Sequence, residues 1–335
     1  MHILITGAAG FIGAHVAKML IENGHSVTGI DNLNDYYDPA LKTARLDALV
    51  PKQAFEFIKG DLADSEAVDT LFASVSFDRV IHLGAQAGVR YSLENPHSYA
   101  ASNLNGFLNI LEACRHSGTP HLVFASSSSV YGANSAQPFS TSHPTEHPLS
   151  LYAATKKANE MMAHSYAHLY RMPVTGLRFF TVYGPWGRPD MAYWSFTKKI
   201  LAGETIDVFN NGHHARDFTY IDDIVEGVVR VMDHIAAPEE GWDAKNPHTP
   251  GSTAPYRIFN IGNSQPVPLM EFIAAIEKAT GKSASKNMLP MQPGDVESTS
   301  ADVSALEQAI GFAPDTALKD GSERFVAWYR DFHSL

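Results

Sequence analysis

Short apolar, β-branched runs alternate with longer stretches of helical spacing from the first residues to about position 185. HILIT (2–6) leads into a turn with glycine at positions 7, 10 and 13. AHVAKMLIENGH follows, with apolar residues at helical spacing and Gly24 as its stop. SVTGID (26–31) is a second buried run and closes on Asp31. The alternation then continues with a strand in FEFIKGDLAD (55–64), a helix in SEAVDTLFASV and a strand in DRVIHLGAQAG (78–88). A helix through NLNGFLNILEACRHSG, the strand HLVFASSS (121–128), a long helix over 152–170 and the strand VTGLRFFTVYGP (174–185) complete it. Repeated strand–helix units predict an α/β fold with a doubly wound parallel (Rossmann) sheet, whose ligands lie at the carboxyl ends of the strands. Ser127, Thr181 and Gly84 all fall at such ends.

After Pro185 the pattern gives way to loops, short helices and aromatic residues, which predicts a smaller C-terminal α/β lobe that binds substrate. The division expected is 1–180 for the nucleotide-binding domain and mainly 181–335 for the lobe. The helix near 222–234 and the strand 257–263 are expected to pack back on the first domain. Residues 236–256, rich in Pro, Gly, Asn and Thr, read as an exposed insertion. A helix–strand–helix section over 268–335 completes the lobe.

Composition narrows the function classes. The formal net charge is −11, from 25 basic and 36 acidic residues, which argues against non-specific nucleic-acid binding and against an anionic membrane surface. An anionic small ligand remains open, because a few arginines in a cleft suffice. A single cysteine, Cys114, rules out an intrachain disulfide framework, fits a reducing compartment and reads as a small core residue. The chain opens directly on a strand pattern without a signal sequence, and has no apolar run of membrane-spanning length, so a cytoplasmic protein is expected.

Two constellations carry chemistry. The glycine turn lies between a strand and a helix, with an acidic residue at the end of the next strand, which is the context of a dinucleotide site. Gly7 permits the tight turn, Gly10 lets backbone approach a pyrophosphate and Gly13 lets the helix pack on the sheet. The first turn of the helix offers free N–H groups to phosphate. Asp31 can accept from both ribose hydroxyls and would repel a 2′-phosphate, so the expected cofactor is NAD rather than NADP. Asp61 and Leu62 are placed to meet the adenine. The second constellation is SSSSVYG (126–132) followed by Tyr152 and Lys156. On a helix these two share one face, one turn apart. A fixed ammonium there is expected to lower the phenol pKa from its usual value near ~10. With a neighbouring hydroxyl, such a pair can move a proton on and off an alcohol.

These motifs, with RDFTYIDD, resemble the extended short-chain dehydrogenase/reductase (NAD-dependent epimerase/dehydratase) family of sugar-nucleotide enzymes. More narrowly, QAGVRYSLENP (86–96), LYAATKKANE (151–160), LRFFTVYGPWGRPDMA (177–192) and MQPGDV (291–296) are similar to the UDP-glucuronate 4-epimerases. The resemblance runs over nearly the whole chain. It implies inversion at C4 of UDP-glucuronate through a 4-keto intermediate, with NAD retained. It implies a catalytic set of Ser127, Tyr152 and Lys156. The cofactor set it implies is Gly7, Gly10, Phe11, Ile12, Gly13, Asp31, Asn32, Asp61, Leu62, Leu83, Ala85, Tyr152 and Lys156. For the UDP-sugar it implies Arg90, Ser127, Ser128, Ser129, Thr181, Arg188, Arg216 and Asp295. Ser128, Ser129 and Thr181 would hold the sugar carboxylate, and Arg216 the diphosphate. Neutral-sugar relatives often carry arginine where this chain has Gln292, and decarboxylating relatives an acidic residue just before VYG, where this chain has serine. Similar proteins pair two helices, here around 103–116 and 153–170, across a two-fold axis, so a homodimer is expected.

Other readings compete. A 4-epimerase of neutral UDP-hexoses such as UDP-glucose, or a catalytically silent NAD-binding scaffold, shares much of this pattern. A 4,6-dehydratase would need an Asp–Glu pair that is missing. His164 and His168 stand at helical spacing, but without HExxH or an evident third ligand no metal site is expected. Gly281-Lys282-Ser283 lacks the first glycine of a phosphate loop. Asp222 and Asp223 are expected to cap the following helix, and Tyr193, Trp194 and Phe196 to pack in the lobe.

Overall fold

The computed structural model describes residues 1–292 and 295–335; Pro293 and Gly294 of the MQPGDV segment lie outside the described residues. The chain runs β1 (His2–Thr6), α1 (Phe11–Glu22), β2 (Ser26–Asp31), α2 (Pro39–Ala48), β3 (Phe55–Lys59), α3 (Ser65–Ser74) and β4 (Arg79–His82). Two single turns, α4 (Tyr91–Glu94) and α5 (Pro96–Tyr99), pass through a π-helical stretch (Ala100–Asn105) into α6 (Gly106–Ser117). Next come β5 (Leu122–Ser127), α7 (Leu151–Tyr170), β6 (Val174–Phe179), β7 (Thr181–Tyr183), α8 (Ala192–Ala202), β8 (Ile206–Val208) and β9 (Ala215–Tyr220). The rest is α9 (Ile221–Asp233), β10 (Tyr256–Ile261), β11 (Pro266–Pro268), α10 (Leu269–Thr280), β12 (Lys286–Met288), α11 (Ser304–Ile310) and α12 (Leu318–Phe332).

The main sheet has seven parallel strands in the order β10-β6-β5-β4-β1-β2-β3. Both faces are covered, which is why its strands read as unbroken apolar runs rather than alternating ones. Ile3 and Ile5 point into a core shared with α1 and α9, while Leu4 points into a core built with α3, α6 and α7. Chain order reverses between β1 and β4, which opens a crevice at their carboxyl ends. Cys114 is fully buried in the second core, and burial pushes its thiol up to about 12, so it is inert packing.

The lobe's sheets are smaller: β11-β9-β7 and β12-β8. The strand expected over 174–185 is two strands in two sheets. β6 pairs with β5 and β10 as far as Phe179, and then the Phe180 N–H donates to the Ile261 carbonyl (3.2 Å) while its ring packs with Val130, Tyr131 and Phe139. That detour sends Thr181 into β7, parallel to β9, so it opens the lobe's sheet rather than ending a strand of the main one. Asp222 and Asp223 lie in the first turn of α9, but among the described residues neither side chain makes an N-cap hydrogen bond to it. Asp223 instead accepts from the Thr316 N–H (3.0 Å) and hydroxyl (2.9 Å), tying α9 to the C-terminal segment.

Candidate active site

The glycine turn forms one wall of a deep crevice. Gly7 sits at φ +70°, and a Cβ there would lie 2.7 Å from the Gly84 nitrogen. A Cβ on Gly13 would lie 2.1 Å from the Gly7 carbonyl oxygen, so this glycine is required by the turn itself more than by helix–sheet packing. Gly10 caps α1 without a side chain, leaving the first-turn N–H groups of the helix to face the crevice. Asp31 accepts from the Ala9 N–H (3.2 Å) and the Leu33 N–H (2.9 Å), so its carboxylate is held against the turn. Asn32 donates to Asp61 (3.1 Å), joining the ends of β2 and β3. A cradle of bare backbone, a free helix N-terminus and a fixed carboxylate fit a dinucleotide. Gly7, Gly10, Phe11, Ile12, Gly13, Asp31, Asn32, Asp61, Leu62, Leu83 and Ala85 all line this one pocket.

Ser127, Tyr152 and Lys156 line the same pocket. Ser127 ends β5, and its hydroxyl accepts from the Ser129 N–H (3.1 Å), which starts the turn of Ser128 and Ser129. Tyr152 enters on the first turn of α7, which Ser150 caps by accepting from the Ala153 N–H (3.1 Å). Beneath them, a wholly buried ion pair locks strand to helix. Glu160 accepts from Arg178 Nε (2.8 Å), from Arg178 Nη2 (2.9 Å) and from the Ser126 hydroxyl (2.7 Å). Breaking such a pair strands a buried charge and costs roughly 3–5 kcal/mol.

The electrostatics differ from the sequence expectation. The Lys156 ammonium donates to the Ala125 carbonyl (2.8 Å), and burial brings it down to about 8. Burial also pushes the Tyr152 phenol up, opposed by the Ser127 hydroxyl and the Arg188 charge rather than by the lysine. The spacing predicted the shared helix face correctly, but the cation that favours the phenolate comes from a different loop.

Ser128, Ser129, Thr181, Arg188, Arg216 and Asp295 line the lobe side of the pocket. Arg188 is clamped by Asp190 (3.1 and 2.5 Å), which also accepts from the Tyr36 hydroxyl (3.0 Å). Arg216 donates to Asp295 (2.9 Å) and to the Val296 and Glu297 carbonyls (2.6 and 3.0 Å). Arg90 is exposed, with its guanidinium over the Phe209 ring (5.7 Å), and lies outside the pocket lining. Its charge still reaches the site, because together with burial, the larger cause, it lowers the pKa of Arg216 on the lobe side of the pocket. Asn34, Tyr36 and Lys42 line the pocket and were not foreseen. Asn34 and Tyr36 follow Asp31 in DNLNDYYDP, a polar and aromatic loop whose composition is the available signal, and Lys42 lies on the first turn of α2 beyond it. Tyr193, expected as lobe packing, is buried and also accepts from the Arg188 N–H at 2.9 Å.

A parallel sheet with its glycine turn, carboxylate, serine, tyrosine and lysine in one crevice defines an NAD-linked enzyme acting on an alcohol. The chain belongs to the NAD dependent epimerase/dehydratase family, whose profile matches residues 3–262. It is 54% identical to Protein CapI of Staphylococcus aureus, over 99% of both chains. It is 49% identical to the probable UDP-glucuronate 4-epimerase of Rhizobium meliloti (strain 1021), over 98% of this chain and 97% of that one. Among solved structures, UDP-glucuronic acid 4-epimerase from Bacillus cereus in complex with UDP-glucuronic acid and NAD superposes with a TM-score of 0.88. The two share 34% identity over 99% of this chain and all of that one.

Proposed function

We propose that the protein is a UDP-glucuronate 4-epimerase, interconverting UDP-glucuronate and UDP-galacturonate. The observation that carries this is the single crevice in which a proton-moving set (Ser127, Tyr152, Lys156) faces neutral hydroxyls (Ser128, Ser129, Thr181) and the glycine turn. The glycine turn and Asp31 would hold NAD, which would supply reversible hydride acceptance at the sugar C4. Tyr152, once ionised against the burial that holds its proton, accepts the O4 proton and later returns it; Ser127 and Arg188 favour that ionisation. Ser127 bridges to O4, and Lys156 holds the cofactor side of the pocket. Ser128, Ser129 and Thr181 donate to the C5 carboxylate of the 4-keto intermediate, a β-keto acid that must be kept from losing CO₂. Because the chain is acidic overall, attraction for the trianionic substrate is local, from Arg188 and Arg216. Arg216 must share its donors between Asp295 and the diphosphate.

A homodimer fits the exposed apolar residues Leu108 on α6 and Met161 and Leu169 on α7, which are 41%, 49% and 66% exposed. These helices would pair across a two-fold axis, and a monomer mass by light scattering would contradict this. Among the described residues no helix is long and apolar enough to cross a membrane, which is consistent with work in the cytoplasm. The decisive experiment is incubation with UDP-glucuronate, with the products separated and identified by NMR. UDP-galacturonate is expected. UDP-pentose would mean decarboxylation, and turnover of UDP-glucose but not the uronate would mean a neutral-sugar enzyme.

A further inference from the structure

Arg45 of α2 is wholly buried, and among the described residues no carboxylate pairs with it. Its guanidinium is held by oxygen dipoles from three separate places. Nε donates to the Trp186 carbonyl (2.8 Å) and Nη2 to the Gly187 carbonyl (2.8 Å). Nη1 donates to the Ala9 carbonyl (3.1 Å) and the Tyr37 hydroxyl (2.6 Å). Ala9 belongs to the glycine turn, and its own N–H goes to Asp31. Trp186 and Gly187 immediately precede Arg188.

The loop end of this bridge is under strain. Trp186 adopts φ +63°, a left-handed conformation that a bulky side chain rarely takes and that persists only where its surroundings fix it. Here they do. The indole lies against Trp328 and Phe332 of α12, with centroids 5.1 Å away in each case, while Arg45 holds the carbonyls on the other side. Gly187 has no room for a side chain, since a Cβ would meet the Tyr193 hydroxyl at 2.1 Å. One side chain therefore connects the turn that would bind pyrophosphate to the loop that aims Arg188 at Tyr152.

We propose that Arg45 is a positioning residue that couples the two halves of the pocket, so that filling the glycine turn fixes the Arg188 loop and tightens the UDP-sugar site. Only a planar fork reaches Ala9, Trp186 and Gly187 together; a lysine ammonium keeps the charge but cannot span them. The proposal rests on the reading of the pocket as an NAD and UDP-sugar site, and the two can fail separately.

The test is the linkage between NAD and UDP, measured by calorimetry on NAD-stripped protein. In the wild type, UDP should tighten NAD by about 10-fold, and NAD should tighten UDP by the same factor, because linkage is reciprocal. Arg45→Lys should bind each ligand alone but show a factor near 1, with kcat falling more than KM for the UDP-sugar rises. A purely structural arginine would lower stability without uncoupling two ligands in the folded protein. Arg45→Gln, which removes the buried charge, serves if the lysine variant does not fold. Hydrogen exchange on the wild type needs no variant: NAD alone should slow the amides of Gly184, Trp186 and Gly187, none of which lines the pocket. Full linkage in a folded variant, no linkage in the wild type, or unchanged exchange at these amides would each overturn the proposal. Failure of the wild type to bind NAD or UDP singly would instead overturn the reading of the pocket.

Discussion

Replacing Lys156 with methionine should abolish turnover and make the protein more stable. The lysine is 3% exposed, and its ammonium has one hydrogen bond, to the Ala125 carbonyl. Burial alone moves it from 10.5 to about 8. At 1.36 kcal/mol per unit, holding the charge there costs the folded protein about 3 kcal/mol. Methionine is similar in length and forfeits the hydrogen bond, worth about 1 kcal/mol, so a net gain of about 2 kcal/mol is expected at pH 7. The pH dependence gives the argument its signature. Below pH 8 both folded and unfolded chains carry the proton, and the cost is fully present. Between pH 8 and 10.5 the folded lysine has lost its proton while the unfolded one keeps it, so wild-type stability rises with pH. The advantage of the variant should therefore shrink across that window and vanish near its upper end. Urea denaturation of NAD-stripped protein at pH 7, 8, 9 and 10, followed by tryptophan fluorescence, measures it. A variant less stable than the wild type at pH 7, or a gap independent of pH, would refute the claim that an uncompensated charge is held at this position. Activity with UDP-glucuronate should meanwhile drop by ~100-fold or more.

Four further outcomes are expected. Gly13→Ala drives a methyl into the Gly7 carbonyl; opening the turn at about 1–3 kcal/mol should weaken NAD by roughly 5- to 150-fold. Nucleotide released by heat from the wild type should be NAD(H), and a preparation carrying mostly NADP would contradict the role given to Asp31. Tyr152→Phe should fold normally and lose turnover by ~100-fold or more, whereas near-normal rates would mean another group moves the proton. Thr181→Val deletes one donor to the carboxylate, worth roughly 1.5–3 kcal/mol, and should cut kcat/KM for UDP-glucuronate by about 10- to 150-fold while raising the decarboxylated fraction. Equal losses on a neutral UDP-hexose, with no such product, would show that Thr181 does not read the carboxylate.

The doubly wound sheet, the glycine turn and the Tyr152–Lys156 face were legible in the sequence because each depends on local periodicity. Two-sided burial writes continuous apolar strands, a left-handed turn writes Gly7, and helical pitch alone puts residues four apart on one side. What only tertiary structure decided was how separate loops meet. The sequence could not show that the chain leaves the main sheet at Phe180, which puts Thr181 on the lobe, nor that Arg90 lies over the Phe209 ring. Nor could it show that Arg188, 36 positions beyond Tyr152, supplies the charge the phenol feels while Lys156 turns to the Ala125 carbonyl. α2 carries its most informative residue, Arg45, as one more basic position in PALKTARLDA. Its meaning comes from the Ala9, Trp186 and Gly187 carbonyls, which lie far away along the chain and come together only on folding. Hydrogen-bond direction and burial belong to pairs of segments, and no single stretch of sequence encodes them.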